Sequence, residues 1–514
     1  MNPIELNLFV SRVSAICDEM GVVLRRTAFS PNIKDRLDFS CALFDRQGKL
    51  FAQAAHIPVH LGSMAYATGS IVGELDWRGG DMLVLNDPYL GGTHLPDVTV
   101  IAPAFSADGS TLLGFVANRA HHANIGCDTP GSMPLSASLE EEGVVIPPTW
   151  LVRGGKLQNH GIPLPDLQGA KLQGDIAAQV GANAVGLLRL QELVRKTGLS
   201  EFELGLNAMN DYADRLMAAA IGELQPGIYR FSDVLDDDGL GSRDIQLVLA
   251  LHIAADRIVM DLTESAAQVT GNLNCPESIV AAAAYYCLRC LLPDEAPACA
   301  GLFRRVSLVT REASIVNAVR PAAVAAGNVE TSMRLVDLVF GALAQALPDR
   351  IPAASQGTMN NIAMGHIDSS LGMRWDYYET LAGGLGGGPH YAGLDAVHSH
   401  MTNTLNTPVE SLEMHYPLRV RKYAVRAGSG GGGQHPGGCG IIREYEFLAT
   451  AQCSLLTERR RIPPWGLRGG AAGECGSNFL NGEALPAKCA LTVSSGDRLR
   501  IETPGGGGWG SSTG

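Results

Sequence analysis

The chain has 514 residues, a formal net charge of −13 at pH 7, 46% hydrophobic residues and only 18% charged residues. The acidic charge argues against nucleic acid or an anionic membrane as a partner, because both are negatively charged themselves. The hydrophobic content and the 61 glycines are typical of a well-buried globular protein with many tight turns. The length predicts two or three domains.

The cellular compartment is suggested by what the sequence lacks. No stretch reaches the roughly 18 unbroken apolar residues of a membrane helix, and the nearest candidate, IVAAAAYYCLRCLL, contains Arg289. The acidic Glu5 and an amphipathic continuation make the N-terminus unlike a signal peptide. The 11 cysteines are odd in number and scattered, which is typical of reduced thiols. Cys287 and Cys290 form a C-x-x-C pair without a second pair at zinc-finger spacing, so they are interpreted as structural thiols. We therefore expect a cytoplasmic protein.

The first elements of the chain are a helix and a hairpin. Apolar residues recur at helical spacing from Pro3 to Thr27, and alternating residues then predict two strands, Phe39–Phe44 and Leu50–Ala54. Asp38 stands immediately before the first of these strands, where its carboxylate could bind a metal ion or simply pair with Arg36.

Two histidines, His56 and His60, precede a helix that is predicted over Met64–Leu75. His60 could line a cleft together with Asp38. A lone histidine in a loop is more often a structural hydrogen-bonding group, and both interpretations stay open.

The stretch from Asn86 to Cys127 has the densest set of candidate site residues. In NDPYLGGTHLPDVTV, two glycines allow a tight turn before His94 and Asp97, which are close enough in sequence to face one point. The apolar run LLGFVANRAHHANIGC predicts a strand that ends at His121 and His122. Neutral imidazole nitrogens and a carboxylate oxygen are suitable ligands for a borderline divalent ion such as zinc or manganese. The alternative is that one or two of these histidines only satisfy buried backbone groups.

The remainder of the chain predicts an α+β protein of mixed sheets and helices. Residues 132–205 are expected to be mainly helical and connective, and strands begin near Pro226. Two helices are expected over Pro276–Leu292 and Asn328–Ala346, with their apolar faces in the core. We predict three domains, an N-terminal metal-site domain (1–225), an α/β middle domain (226–350) and a glycine-rich, β-rich C-terminal domain (351–514).

The glycine runs of the C-terminal third do not form a recognisable nucleotide site. None has the G-x-x-x-x-G-K-[ST] form, and none is a G-x-G-x-x-G turn followed by an acidic residue at the right distance. The chain is therefore expected not to bind ATP or a dinucleotide through such a loop. His398 and His400 alternate on a possible strand and would then share a face, which makes them a weaker second candidate for a ligand pair.

Many separate segments together resemble the hydantoinase B/oxoprolinase family, and they occur in the same order along nearly the whole chain. These segments are SPNIKDRLDFSCALFD, NDPYLGGTHLPDVTV, ANRAHHANIG, GNLNCPESI, NVETSMRLVD, HSHMTNTLNTPVE, GSGGGGQHPGG, ERRRIPPWGLRGG and TPGGGGWG.

The resemblance implies a subunit that works with a hydantoinase A-type partner, an actin-like ATPase that binds ATP with magnesium. In such systems ATP phosphorylates the oxygen of a cyclic amide or of an enolised ketone. The resemblance therefore implies an ATP-dependent hydrolase of cyclic amides, with a ketone carboxylase subunit as the alternative. A scaffold with a purely structural histidine cluster is a third, non-enzymatic interpretation. We expect a heterotetramer, a dimer of heterodimers.

The resemblance also implies a site. Its metal ligands would be Asp38, His94, Asp97 and His121, with the adjacent His122 able to replace His121. The ion would be zinc or manganese and would need an open coordination position for water or substrate. His122 or Asp87 would transfer the proton, because a general base must lie within hydrogen-bond reach of the water.

Overall fold

The computed structural model describes residues 1–158, 161–164, 172–368 and 373–511. Helices and four separate sheets alternate along these residues, which confirms the predicted α+β class. The helices are α1 (Pro3–Thr27), α2 (Pro31–Lys34), α3 (Pro58–Gly73), α4 (Gly174–Thr197), α5 (Leu199–Gly222), α6 (Glu277–Arg289), α7 (Ser332–Ala346) and α8 (Val409–His415).

The first two sheets are each built from strands that are consecutive in the chain, and the strands of the last third are divided between the other two sheets. The first sheet contains β1 (Phe39–Phe44), β2 (Leu50–Gln53), β3 (Met82–Leu85), β4 (Asp97–Phe105), β5 (Leu112–His121), β6 (Thr149–Arg153) and β7 (Lys156–Leu157). The second contains β8 (Gly227–Asp237), β9 (Arg243–Ile253), β10 (Ile258–Asp261) and β11 (Val306–Val309). The remaining two are built from β12 (Asn361–Asp368), β13 (Met373–Glu379), β14 (Leu418–Val425), β15 (Ile441–Phe447), β16 (Ala451–Leu456), β17 (Ser477–Leu480), β18 (Glu483–Leu485), β19 (Lys488–Val493) and β20 (Arg498–Glu502).

The first sheet has the strand order β2-β1-β5-β4-β3-β6-β7. Strands β1, β5 and β4 are neighbours in this order and pair antiparallel, so the start of β1, the start of β4 and the end of β5 lie at one end of the sheet. In the β4–β5 ladder Asp97 is directly opposite His121, and in the β1–β5 ladder Phe39 is opposite Ala120. This register brings Asp97, His121 and the residues before Phe39 together at one end of the sheet, although they are distant in sequence.

Helices α3 and α6 pack closely together beside this sheet. A Cβ atom on Gly62 of α3 would lie 2.4 Å from the Cα atom of Ala282 in α6, so only glycine permits this approach. The close contact fixes the first turn of α3, which carries His60.

Most of the predicted elements are present, and several boundaries differ. Helix α1 has the predicted bounds, and β5 ends at His121. Helix α3 begins at Pro58 rather than at Met64, because Pro58 occupies the first helical position, where its missing N–H has no helical partner to lose. The predicted stretch 132–205 includes residues 159–160 and 165–171, which lie outside the described residues.

The prediction that His398 and His400 lie on one face of a strand is wrong. Both residues are in irregular backbone, and His400 has a φ of 56°, which no strand contains. Helix α7 also begins later than predicted, at Ser332, because residues Gly327–Thr331 form a single π-helical turn before it. Such turns are frequent at functional sites.

The largest hydrophobic core extends from Phe9 to Leu456, a second, smaller core lies between the last two sheets, and a third contains residues of the first sheet and of α3. The division into three domains stays a prediction. In the described ranges, none of the helices combines the length and the apolar character that a membrane crossing requires. The cysteines, including Cys287 and Cys290, are free thiols.

Candidate metal centre

Three of the predicted ligands converge at one end of the first sheet. Asp97 begins β4, His121 ends β5, and His94 lies in the turn before Asp97. All three side chains are buried, with relative exposures of 0%, 2% and 0% respectively. Their ligand atoms all lie within 4.8 Å of one another, and among the described residues this is the only such group of histidine, cysteine and acidic side chains.

The three ligand atoms form a nearly equilateral triangle. His94 Nε2 is 3.2 Å from Asp97 Oδ1, His121 Nδ1 is 3.3 Å from the same oxygen, and the two nitrogens are 3.2 Å apart. A tetrahedral zinc ion with ligands at about 2.0–2.1 Å would separate its ligand atoms by roughly 3.3 Å. The triangle therefore has the size of one face of such a coordination shell.

The hydrogen bonds around the triangle leave lone pairs available within it. His94 Nδ1 faces the carbonyl oxygen of Ala325 at 3.1 Å, so Nδ1 carries the proton and Nε2 has a free lone pair. Asp97 Oδ1 accepts no well-formed hydrogen bond from any described residue, although it is buried. A buried carboxylate oxygen without a donor normally has another partner, such as a cation. The donor set therefore fits a divalent metal ion.

Charge interactions within the cluster are strong. Burial favours the neutral form of Asp97, yet the imidazoles of His60 and His94 hold the pKa of its carboxyl well below the usual range. Burial alone would lower the pKa of His94. The attraction of the Asp97 carboxylate is stronger than this effect, so the pKa of His94 lies above the ordinary value. Burial lowers the pKa of His121. Protons and a metal ion would compete for these nitrogens, because only the neutral imidazole binds a metal.

A cavity of about 20 Å³ adjoins the triangle, which is room for about one water molecule. Asp38 and His60 both line it. Asp38 Oδ2 lies 3.8 Å from the buried Arg36, so Asp38 contacts the cavity and also pairs with the arginine. Its carboxylate lies outside the close group of three ligands.

His60 contacts the cluster directly. Its Nε2 atom is 3.1 Å from Asp97 Oδ2 and 4.0 Å from Asp38 Oδ1. Of the two sequence interpretations, the structure therefore agrees with a position in the same cleft as Asp38. The sequence feature that indicates this position is Pro58, because proline is favoured at the first position of a helix and a helix that begins there includes His60 in its first turn.

The two residues predicted for proton transfer have other partners. His122 Nε2 is 2.9 Å from Gln179 Oε1, and it donates this hydrogen bond because the amide nitrogen of Gln179 donates elsewhere. Asp87 accepts a hydrogen bond from the backbone N–H of Tyr89 and pairs with Arg320. Neither residue lines the cavity. Of His121 and His122, only His121 is in the close group.

Sequence reasoning missed other lining residues. Asn328, in the π-helical turn, lies 3.4 Å from Asp97 Oδ2 through its Nδ2 atom. The ring of Tyr378 stacks on the ring of His121, with 4.7 Å between centroids and 10° between planes. Asn328 lies within the NVETSMRLVD segment, but nothing in its spacing connects it with Asp97.

Comparisons with known proteins agree with this architecture. The chain matches the family model described as hydantoinase B/oxoprolinase over residues 2–512. It is 39% identical to a 5-oxoprolinase of Dictyostelium discoideum, over 99% of this chain but only 40% of that protein. It is 30% identical to a protein of Pseudomonas sp. (strain NS671) named as a putative D-/L-hydantoinase subunit, over 99% of this chain and 90% of that protein.

Two solved structures share the fold. The ATP-dependent caprolactamase of Pseudomonas jessenii has a TM-score of 0.89 at 27% identity, over 99% of this chain and 91% of that one. A nucleotide-free acetone carboxylase has a TM-score of 0.86 at 18% identity, over 99% of this chain and 76% of that one. The second likeness shows the fold alone. From the family match and the relatives together, the chain belongs to the hydantoinase B/oxoprolinase family.

Proposed function

We propose that this chain is the metal-containing subunit of an ATP-dependent cyclic amide hydrolase. The observation that carries the proposal is the buried triangle of His94, Asp97 and His121, in a family whose relatives include a 5-oxoprolinase and an ATP-dependent caprolactamase. The chain spans about two fifths of the length of the 5-oxoprolinase.

His94, Asp97 and His121 would hold the ion, with Asp38 at the cavity wall as a fourth ligand. A zinc or manganese ion bound there would act as a Lewis acid toward an oxygen in the cavity and would make water a better nucleophile near neutral pH. His60 is the best-placed group to move a proton, because it lines the cavity and lies against Asp97.

Hydrolysis of an unstrained cyclic amide requires activation of its carbonyl group, because the carbonyl carbon is weakly electrophilic and the amide nitrogen is a poor leaving group. A partner ATPase transfers the terminal phosphoryl group of ATP to the carbonyl oxygen and releases ADP. One water attacks the activated carbon, and the C–N bond breaks as nitrogen takes a proton. A second water then releases phosphate from the acyl phosphate, so the products are an amino acid, ADP and phosphate.

The partner is proposed to be a hydantoinase A-type ATPase subunit. The relative from Pseudomonas is named as one subunit of a hydantoinase, and this chain contains no recognisable phosphate-binding loop of its own. ATP and magnesium would therefore bind to the partner, and the substrate would meet the metal in this chain.

The test is to copurify the chain with a hydantoinase A-type subunit and to assay ATP hydrolysis against a panel of lactams, hydantoins and ketones. We expect ADP release that depends on a cyclic amide and yields the ring-opened amino acid, and no such product from a complex carrying His94→Ala. ATP hydrolysis that responds only to ketones and consumes bicarbonate would replace the hydrolase with the carboxylase. No stimulation by any compound of the panel would overturn both.

A further inference from the structure

The metal-site cavity, which is the space of about 20 Å³ beside the ligand triangle, has two unpaired polar atoms on its lining. Asn328 Oδ1 and His121 Nε2 are both buried, and neither has a hydrogen-bond partner among the described residues. Leaving a buried polar atom unpaired is costly, so native proteins usually supply a partner. The two atoms therefore indicate a polar occupant of this cavity.

One water molecule fits these atoms. The volume admits a single water and is too small for a ring or a phosphate group. His121 Nδ1 faces the triangle, so Nε2 carries the proton and can only donate, whereas the Asn328 oxygen can only accept. Water can serve either atom, because it both donates and accepts. Three hydroxyl groups on the same lining add further polar partners for a buried water, namely those of Thr380, Thr402 and Thr404.

The side-chain amide of Asn328 has a defined orientation. Its Nδ2 atom lies 3.4 Å from Asp97 Oδ2, and a carboxylate oxygen accepts hydrogen bonds but cannot donate them. The nitrogen must therefore lie on the Asp97 side, and Oδ1 is turned away from that carboxylate. One planar group thus contacts a residue of the ligand triangle through its nitrogen and has its oxygen available for a water.

The backbone of Asn328 is held by a second chain segment. Asn328 lies in the π-helical turn that precedes α7. A Cβ atom on Gly327 would overlap the carbonyl oxygen of Asn274, so only glycine permits this approach. At the other end of the turn, the Thr331 hydroxyl donates to the carbonyl oxygen of Leu273 at 2.6 Å. These contacts join the motifs GNLNCPESI and NVETSMRLVD and fix Asn328 at the cavity wall.

We propose that Asn328 holds and orients the attacking water of the hydrolysis by accepting a hydrogen bond from it at Oδ1. This inference rests on the proposed function, because it assigns a residue to the water-attack step. With one O–H bond directed to Asn328, the water keeps its second proton for His60, which lines the same cavity. A lone pair of the water forms the new C–O bond to the activated carbon as that proton leaves. Fixing the water in one orientation lowers the entropy cost of this step.

Crystal structures of the wild-type chain and of Asn328→Leu test the water site without turnover. Leucine has nearly the shape of asparagine but neither a donor nor an acceptor. The wild type should contain one ordered water within about 3.2 Å of Asn328 Oδ1, and Asn328→Leu should lack it. A wild-type cavity without a water at this position would overturn the inference.

Kinetics of the copurified complex separate water attack from phosphoryl transfer. The partner forms ADP before water attacks, so Asn328→Leu should keep the wild-type rate of ADP formation in the first turnover. Its kcat for the ring-opened amino acid should fall about 100-fold, because misplacing a reactant costs about that much. If Asn328→Leu does not fold, Asn328→Ala, which only removes atoms, should show the same split. An equal fall in first-turnover ADP and in product would contradict a role in water attack.

Asn478→Leu is the matched control. Asn478 is 2% exposed and Asn328 is 3% exposed, but Asn478 lies in β17 and bonds to Thr457 and Arg460, away from the metal-site cavity. The control should lose stability while its cavity water and its kcat stay at the wild-type level. An equal loss of kcat in Asn478→Leu and Asn328→Leu would show that Asn328 contributes only to packing and would overturn the inference.

The outcomes separate this inference from the proposed function. If the wild-type complex hydrolyses lactams and both Asn328 variants keep its kcat, the inference is wrong and the proposed function stands. If the wild-type crystals contain the water on Asn328 but the complex hydrolyses no lactam, the water site stands and the proposed reaction fails.

Discussion

The carboxylate of Glu142 accepts a hydrogen bond from the backbone N–H of Ala325 at 2.9 Å, and the carbonyl oxygen of Ala325 faces Nδ1 of His94 at 3.1 Å. The same Glu142 oxygen accepts from Val324 and from the hydroxyl of Ser136. Glu142 is fully buried. It therefore acts as a positioning residue that holds the peptide which orients the His94 ring.

Removing this support should weaken metal binding. Glu142→Ala should raise the dissociation constant for zinc about 10-fold, the lower end of what a direct hydrogen-bond partner of a ligand histidine contributes, because Glu142 acts through the Ala325 peptide. Glu142→Gln keeps the accepting oxygen and should bind zinc nearly as well as the wild type. Competition with a chromophoric chelator measures both, with the exposed Glu140→Ala as the control. Equal zinc affinity of Glu142→Ala and the wild type would contradict the positioning role.

Removing a ligand should remove the metal. His94→Ala deletes one nitrogen of the triangle, so elemental analysis should show loss of the bound ion and the copurified complex should lose turnover while the chain stays folded. If the histidine were only structural, the wild type would contain no stoichiometric metal and His94→Ala would cost about 1–3 kcal/mol of stability with activity partly retained. His390→Ala, at an exposed position, is the control.

The two adjacent histidines should differ in the same assay. His121→Ala should lose the metal, because His121 Nδ1 belongs to the triangle. His122→Ala should retain it, because His122 bonds to Gln179. The reverse result would exchange the roles of these neighbours.

A buried glutamate next to the site should make stability depend on pH. Burial, and then the nearby Glu458, raise the pKa of Glu330 from 4.5 to about 8 in the folded protein. The folded state therefore binds this proton more tightly than the unfolded state. The resulting stabilisation is fully present below about pH 4.5 and is lost as the pH rises to about 8, by at most about 1.4 kcal/mol per pH unit.

Glu330→Gln should remove this dependence, so its stability relative to the wild type should increase between pH 5 and pH 8. Urea unfolding at both pH values measures the difference, and Glu312→Gln at an exposed position should show none. A constant difference between Glu330→Gln and the wild type at the two pH values would show that Glu330 ionises normally.

Nucleotide binding should require the partner. Calorimetry with the chain alone should detect no tight binding of ATP and no lactam hydrolysis, because the sequence has no recognisable phosphate loop and the reaction begins with phosphoryl transfer. Micromolar binding of ATP by the chain alone would contradict this prediction.

Assembly with the ATPase subunit should be stable. The low charge and high glycine content favour large buried interfaces, and large apolar side chains such as Phe29, Ile4 and Met414 are more than 70% exposed. Sedimentation of the coexpressed pair should show a dimer of heterodimers. Separate monomers at micromolar concentration would contradict it.

Sequence by itself determined the local elements and the closely spaced part of the site. The apolar spacing of α1 predicts its bounds from Pro3 to Thr27, because a helix is stabilised by contacts between near neighbours. The end of β5 at His121 follows in the same way from its apolar run. His94 and Asp97 are separated by only one turn, so their convergence is visible in the sequence.

Only the tertiary structure decided which distant residues complete the site. Asp97 meets His121 through the register of the β4–β5 ladder, and His60 joins them because α3 packs closely on α6 through Gly62. Tyr378 and the Glu142–Ala325 pair come from segments far away in sequence. Neither periodicity nor spacing encodes such contacts, since they depend on how separate sheets pack around one buried core.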